Sequence, residues 1–173
     1  APLVFEITNI SFQIELQMGR VCGIMDPETP NRKEVTMTLV LCLDDNLGMM
    51  FNHRRQSRDR VLTADLLRTV GNGRLVVSPY TAKLFADIAD ASSLIVAADP
   101  LAAAGEGDFC FLEEKSPGES LRKVSTLFLY RWNRHYPADV FFDADLREFT
   151  LTQTEELEGF SHKIITKEVY QRL

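Results

Sequence analysis

VTMTLVLCL, residues 35–43, decides the fold class. The run is continuously apolar and rich in valine and leucine, with no strict alternation of polar residues. A strand with one wet face alternates. An unbroken run reads as a strand covered on both faces, as in a parallel sheet between helices. DDNLG, residues 44–48, follows as a turn. SRDRVLTADLLRTVGNG, residues 57–73, then places Val61, Leu62, Leu66, Leu67 and Val70 on one helical stripe. Ser57 is expected to cap this helix and Gly71 to end it. A buried strand feeding an amphipathic helix opens an α/β domain.

Downstream the alternation continues. RLVVS (74–78) reads as a strand, and Pro79 opens a helix over YTAKLFADIAD (80–90). SSLIVAA (92–98) and DFCFLEE (108–114) read as strands. SPGESLRKV (116–124) reads as a short helix with Ser116 as cap and Pro117 at its first position. STLFLYRW (125–132) is a further strand. REFTLTQTEEL (147–157) and HKIITKEVYQR (162–172) both alternate around EGFS, which makes them an antiparallel hairpin. The expectation is a mixed, mainly parallel sheet flanked by helices and closed by a C-terminal hairpin.

Upstream, residues 1–34 differ. ISFQIELQ (10–17) alternates like a half-buried strand, and MDPETPNRKE (25–34) reads as a linker. We expect an N-terminal extension over 1–34 with one strand, and the compact domain over 35–173. The first 11 residues have no basic start, so no signal peptide is expected there.

The chain has 173 residues, 45% of them hydrophobic, which suits one domain with a full core. Its formal charge of -6 excludes a globally basic coat for nucleic acid, though not a local basic patch. The apolar runs fall short of the roughly 20 residues that span a bilayer, so no membrane role is expected. Cys22, Cys42 and Cys110 are an odd number, and two lie in apolar runs. Free thiols in a cytoplasmic protein are the expectation.

Against this acidic background MMFNHRRQSRDR, residues 49–60, stands out. Arg54, Arg55 and Arg58 carry donor forks suited to phosphate or carboxylate, with Ser57 beside them. They lie near an expected helix start, which favours anions. The structural alternative pairs them with Asp44, Asp45, Asp59 or Asp65. Arg131, Trp132, Asn133 and Arg134, in YRWNRHYPAD (130–139), gather ring and donor groups suited to a planar ligand, or else cap the core. Ser78 and Thr81 are phosphate-binding candidates, although capping alone explains Ser78. His53, Glu113 and Glu114 are candidate acid–base residues, although two carboxylates at a strand end commonly face solvent. No metal-ligand spacing is present, and no metal is expected.

The order of these elements over residues 35–173 resembles the dihydrofolate reductase family. VTMTLVLCLDDNLGMMFN (35–52) resembles its first strand and active-site loop. RLVVSPYTAKLF (74–85) resembles its second strand and phosphate-binding turn. DFCFLEEKSPGESLRKVSTLFLYRW (108–132) resembles the segment that cradles the cofactor pyrophosphate, and residues 138–173 its closing hairpin. The resemblance implies NADPH as cofactor, but three motifs depart from it. HRRQSRDR (53–60) replaces Leu-Pro-Trp, Ser78-Pro79-Tyr80-Thr81 replaces Gly-Arg-x-Thr, and Glu113-Glu114 replaces the paired glycines. Carboxylates there would repel a pyrophosphate, so NADPH is not expected in the family's pose.

The chain also resembles short bacterial proteins catalogued as ribonuclease Z. That resemblance rests on RRQSRDR (54–60), the segment from Trp132 to Phe142, and the terminal hairpin. It implies tRNA processing at a two-zinc site, which needs a His-x-His-x-Asp-His cluster. His53, His135 and His162 are widely separated here. The leading expectation is therefore a dihydrofolate reductase-like domain that binds a small anionic or nucleotide-type ligand through the arginine-rich loop. Its rivals are an NADPH-dependent reductase, an RNA-acting protein and a non-enzymatic interaction module. A homodimer is compatible with the sequence.

Overall fold

The computed structural model describes residues 36–88 and 92–173, so the strand expected within 1–34 lies outside the described residues. The first strand, β1 (Met37–Leu43), sits fourth in a seven-stranded sheet. It is followed by β2 (Gly48–Phe51), β3 (Arg54–Arg55) and helix α1 (Arg60–Val70). Then come β4 (Leu75–Val77), α2 (Pro79–Ala82), β5 (Leu94–Val96), α3 (Pro100–Ala103) and β6 (Phe109–Phe111). The last strands are β7 (Val124–Arg131), β8 (Val140–Phe141), β9 (Phe149–Leu157) and β10 (Ile165–Arg172).

The sheet order is β5-β4-β6-β1-β7-β10-β9. The first five strands run parallel, while β10 is antiparallel to both β7 and β9. This is the mixed α/β architecture expected from the sequence. The unbroken apolar run has its physical reason in β1, which is buried on both faces. Leu39, Leu41 and Leu43 pack with Leu127, Leu129, Met49, Met50 and Phe142 in one cluster. Val40 belongs to the other, with Leu62, Leu66 and Val70 of α1 and with Tyr130 and Trp132. Cys42 and Cys110 are free thiols. Burial pushes Cys110 up to about 12, so it stays protonated at neutral pH.

A buried polar knot holds α1 to the sheet. Lys167 Nζ and Tyr130 OH donate to Asp65 Oδ2 at 2.8 and 2.7 Å, and Lys167 also donates to Thr69. Burial pushes Asp65 up, but the donors from Lys167 and Tyr130 outweigh it and hold the carboxyl below its usual range.

Several local expectations are corrected. The cap of α1 is Asp59, which accepts from Val61 N, and not Ser57. The basic stretch before it is no open loop. Asn52 and His53 both have positive φ, 48° and 59°, and make a two-residue turn that pairs Phe51 with Arg54. β2 and β3 join β8 in a separate three-stranded sheet. Residues 118–123 form a 3-10 helix, not an α-helix capped by Ser116, whose hydroxyl instead meets Asp143 at 2.5 Å. The helix after Ser78 is one short turn followed by a 3-10 turn at Lys83–Phe85.

Candidate functional site

Ligands in open α/β sheets gather beyond the carboxyl ends of the parallel strands. Here those ends deliver Ser78 after β4, Glu113 after β6, and Asp44 after β1. Glu113 is not solvent-facing. It is 7% exposed and takes Arg55 in a two-pronged ion pair, Nε to Oε1 at 3.0 Å and Nη2 to Oε2 at 3.1 Å. Thr81 Oγ1 donates to Oε2 at 2.7 Å. Ser78 caps α2 as expected, with its Oγ accepting from Thr81 N and donating to Thr81 Oγ1. Arg55 also stacks on Tyr80, its Cζ 4.7 Å from the ring centroid, and its backbone N–H donates to the Tyr80 hydroxyl. Ser78, Thr81, Glu113 and Arg55 therefore form one satisfied unit. Glu114 is exposed beside it, on a shallow cleft of about 200 Å³ shared with Ser78 and Lys115.

The hydroxyl and N–H of Thr81 are the donors a phosphate would take at this turn. Both have internal partners, and Glu113 adds negative charge where a pyrophosphate would need donors. The residues present do not fit a pyrophosphate in that position.

Beyond Arg55 a second cleft, of about 250 Å³, is lined by Phe51, Asn52, Arg54, Arg55, Gln56, Tyr136 and Pro137. Among the described residues its lining holds two arginines and no carboxylate. Arg54 is exposed, and its guanidinium has no partner among the described residues. Arg55 uses Nε and Nη2 on Glu113, which leaves Nη1 without an acceptor among the described residues. Gln56 Nε2 donates to Pro137 O at 3.3 Å, and its Oε1 is buried without a donor.

The other expected residues have separate places. Ser57 is half-buried and Arg58 exposed, and the carbonyl of Arg58 accepts from Ser161 Oγ. The anion at the start of α1 is the Asp59 carboxylate itself. His53 is exposed in its turn. Arg131 pairs with Glu168 at 3.0 Å. Asn133 takes positive φ and donates to Ile164 O and Thr166 Oγ1. Trp132 is buried and stacks on His162, with centroids 4.6 Å apart. Arg134 is exposed, and its carbonyl accepts from Asp45 N.

One constellation was not foreseen. His162, 3% exposed, places Nδ1 at 3.3 Å from Asp59 Oδ2 and Nε2 at 2.9 Å from the Tyr136 hydroxyl. Asp59 also accepts from the backbone N–H groups of Val61, Phe160, Ser161 and His162. Burial pushes Asp59 up, but these donors outweigh it and hold the carboxyl far below its usual range. Asp59 and His162 stand 103 residues apart, so no local pattern joins them. Among the described residues no three metal-ligating side chains gather, and no helix is long and apolar enough to cross a membrane.

No protein-family model and no curated protein sequence matches the chain, so the resemblance to ribonuclease Z gains no support. Among solved structures the chain is similar to dihydrofolate reductase from Enterococcus faecalis complexed with NADP(H) and RAB-propyl. The TM-score is 0.57 at 12% identity, over 79% of this chain and 96% of that one. At that identity the likeness shows the fold alone, which is dihydrofolate reductase-like.

Proposed function

We propose that this dihydrofolate reductase-like domain binds a small anionic ligand, of nucleotide type, in the cleft beside Arg54 and not in the cradle held by Glu113. The observation that carries the reading is the lining of that cleft: two guanidinium groups, flanked by Phe51 and Tyr136, with no carboxylate among the described residues. Arg54 and Nη1 of Arg55, which has no acceptor among the described residues, supply donors for a phosphate or carboxylate. Phe51, 46% exposed, and Tyr136 supply ring surface for a planar body. Glu113 supports the reading by fixing Arg55 from behind, which reduces the side-chain ordering that binding requires.

Calorimetric titration of inorganic phosphate and nucleoside monophosphates into the wild type and Arg54→Ala tests it. The wild type is expected to bind at least one of them. Arg54→Ala is expected to lose about tenfold or more, since hydrogen bonds to charged groups contribute about 1.5–3 kcal/mol. Equal affinity in the two proteins would overturn the reading.

A further inference from the structure

We propose that Tyr136 is an acid–base group of the Arg54 cleft, served by His162 as its base and by Asp59, which orients that base. Tyr136 lines the cleft, while its hydroxyl lies 2.9 Å from His162 Nε2. The opposite ring nitrogen, Nδ1, faces Asp59 Oδ2 at 3.3 Å and Ser161 Oγ at 3.1 Å. An ionised carboxylate only accepts, so the hydrogen-bond network assigns the imidazole proton to Nδ1. Nε2 is then the lone-pair side, and the Tyr136 hydroxyl donates to it. This is the order of a nucleophile, its base and the group that orients the base.

Two neighbours face the ring that takes that proton. Trp132 stacks on the His162 ring, and an aromatic face attracts a cation. Asp59, held ionised by its N–H donors, sits beside Nδ1. Among the described residues, Asp59, Tyr136, Ser161 and Trp132 are the polar or aromatic groups in contact with the ring.

The step balances without any further reactant. The Tyr136 proton passes to His162 Nε2, the phenolate takes a proton from the substrate, and the imidazolium is paired with Asp59. The reverse transfers return both protons. The substrate class is an anion, held by Arg54, that carries a removable proton beside its charge. That class rests on the ligand reading above; the acid–base role itself does not.

The probe is N-acetylimidazole, which is neutral and needs no anion site. Its acetyl carbon bonds to a phenol oxygen as the acetyl–nitrogen bond breaks, and the phenol proton passes through the base to the departing ring, which leaves as imidazole. Peptide mapping by mass spectrometry follows acetylation of the tyrosines, with half-buried Tyr80 as the internal reference. Wild-type Tyr136 is expected to react about 100-fold faster than Tyr80, the lower end of general-base assistance. His162→Gln should bring Tyr136 down to the Tyr80 rate. If that variant does not fold, the wild-type ratio alone decides. A ratio near one overturns the acid–base role, because a histidine that only packs would not speed the phenol. Inorganic phosphate should protect Tyr136 in the wild type but not in Arg54→Ala. Fast acetylation without protection leaves the acid–base role standing and removes the anion reading; slow acetylation with phosphate binding does the reverse.

Discussion

Arg54 and Arg55 are adjacent, yet the fold gives them different work. Arg55 neutralises a buried carboxylate, whereas Arg54 faces solvent beside the cleft. Arg55→Ala strands Glu113 without its cation and is expected to lower stability by about 3–5 kcal/mol. Arg54→Ala is expected to stay within about 0.5 kcal/mol of the wild type. Urea unfolding of both variants checks this, and equal losses would contradict the division. Asp59 sets an acid limit. Its folded carboxyl titrates below the unfolded value of about 3.9, so its stabilisation is complete above that pH. It is lost as pH falls further, through the folded value. Asp59→Asn should flatten this part of the stability-against-pH curve, read by circular dichroism; an unchanged slope below pH about 4 would show that other carboxylates set it.

At the scale of elements, the turn between β2 and β3 aims the two arginines. It holds two residues with positive φ, and His53 is a poor choice for the second because a side chain there is strained. His53→Gly should raise stability by about 1 kcal/mol in chemical unfolding. A loss of stability would mean that the imidazole has a role its exposed position hides. This turn also marks the limit of what could be read in advance. β1, α1 and the β9–β10 hairpin announced themselves through an apolar run, a helical stripe and alternation. β2, β3 and β8 are four residues or fewer, too short for any period to emerge, and Asn-His is a weak turn signal beside Asn-Gly. Ser57 was the expected cap of α1, and Asp59 takes that place. Asp59 prevails because a carboxylate can accept the helix N–H and the hairpin loop's N–H groups together. The residues at the Glu113 end were legible as candidates, but their partners were not, since Arg55 and Glu113 are 58 residues apart.

For the molecule as a whole, the fold brings two regions of opposite character to the carboxyl edge of one sheet. The cradle of Ser78, Thr81 and Glu113 is closed on itself, while the Arg54 cleft keeps donors that have no acceptor among the described residues. The fold positions both regions, and their side chains set the difference between them. Backbone amide spectra of uniformly 15N-labelled protein separate the two, with NADPH and a nucleoside monophosphate titrated in parallel. The expected result is that the nucleoside monophosphate shifts residues 51–56 and the amides of Tyr136 and Ala138, and that NADPH leaves 78–81 and 113–115 unmoved. Shifts centred on 78–81 and 113–115 with NADPH would contradict it, placing the ligand in the cradle that Glu113 occupies.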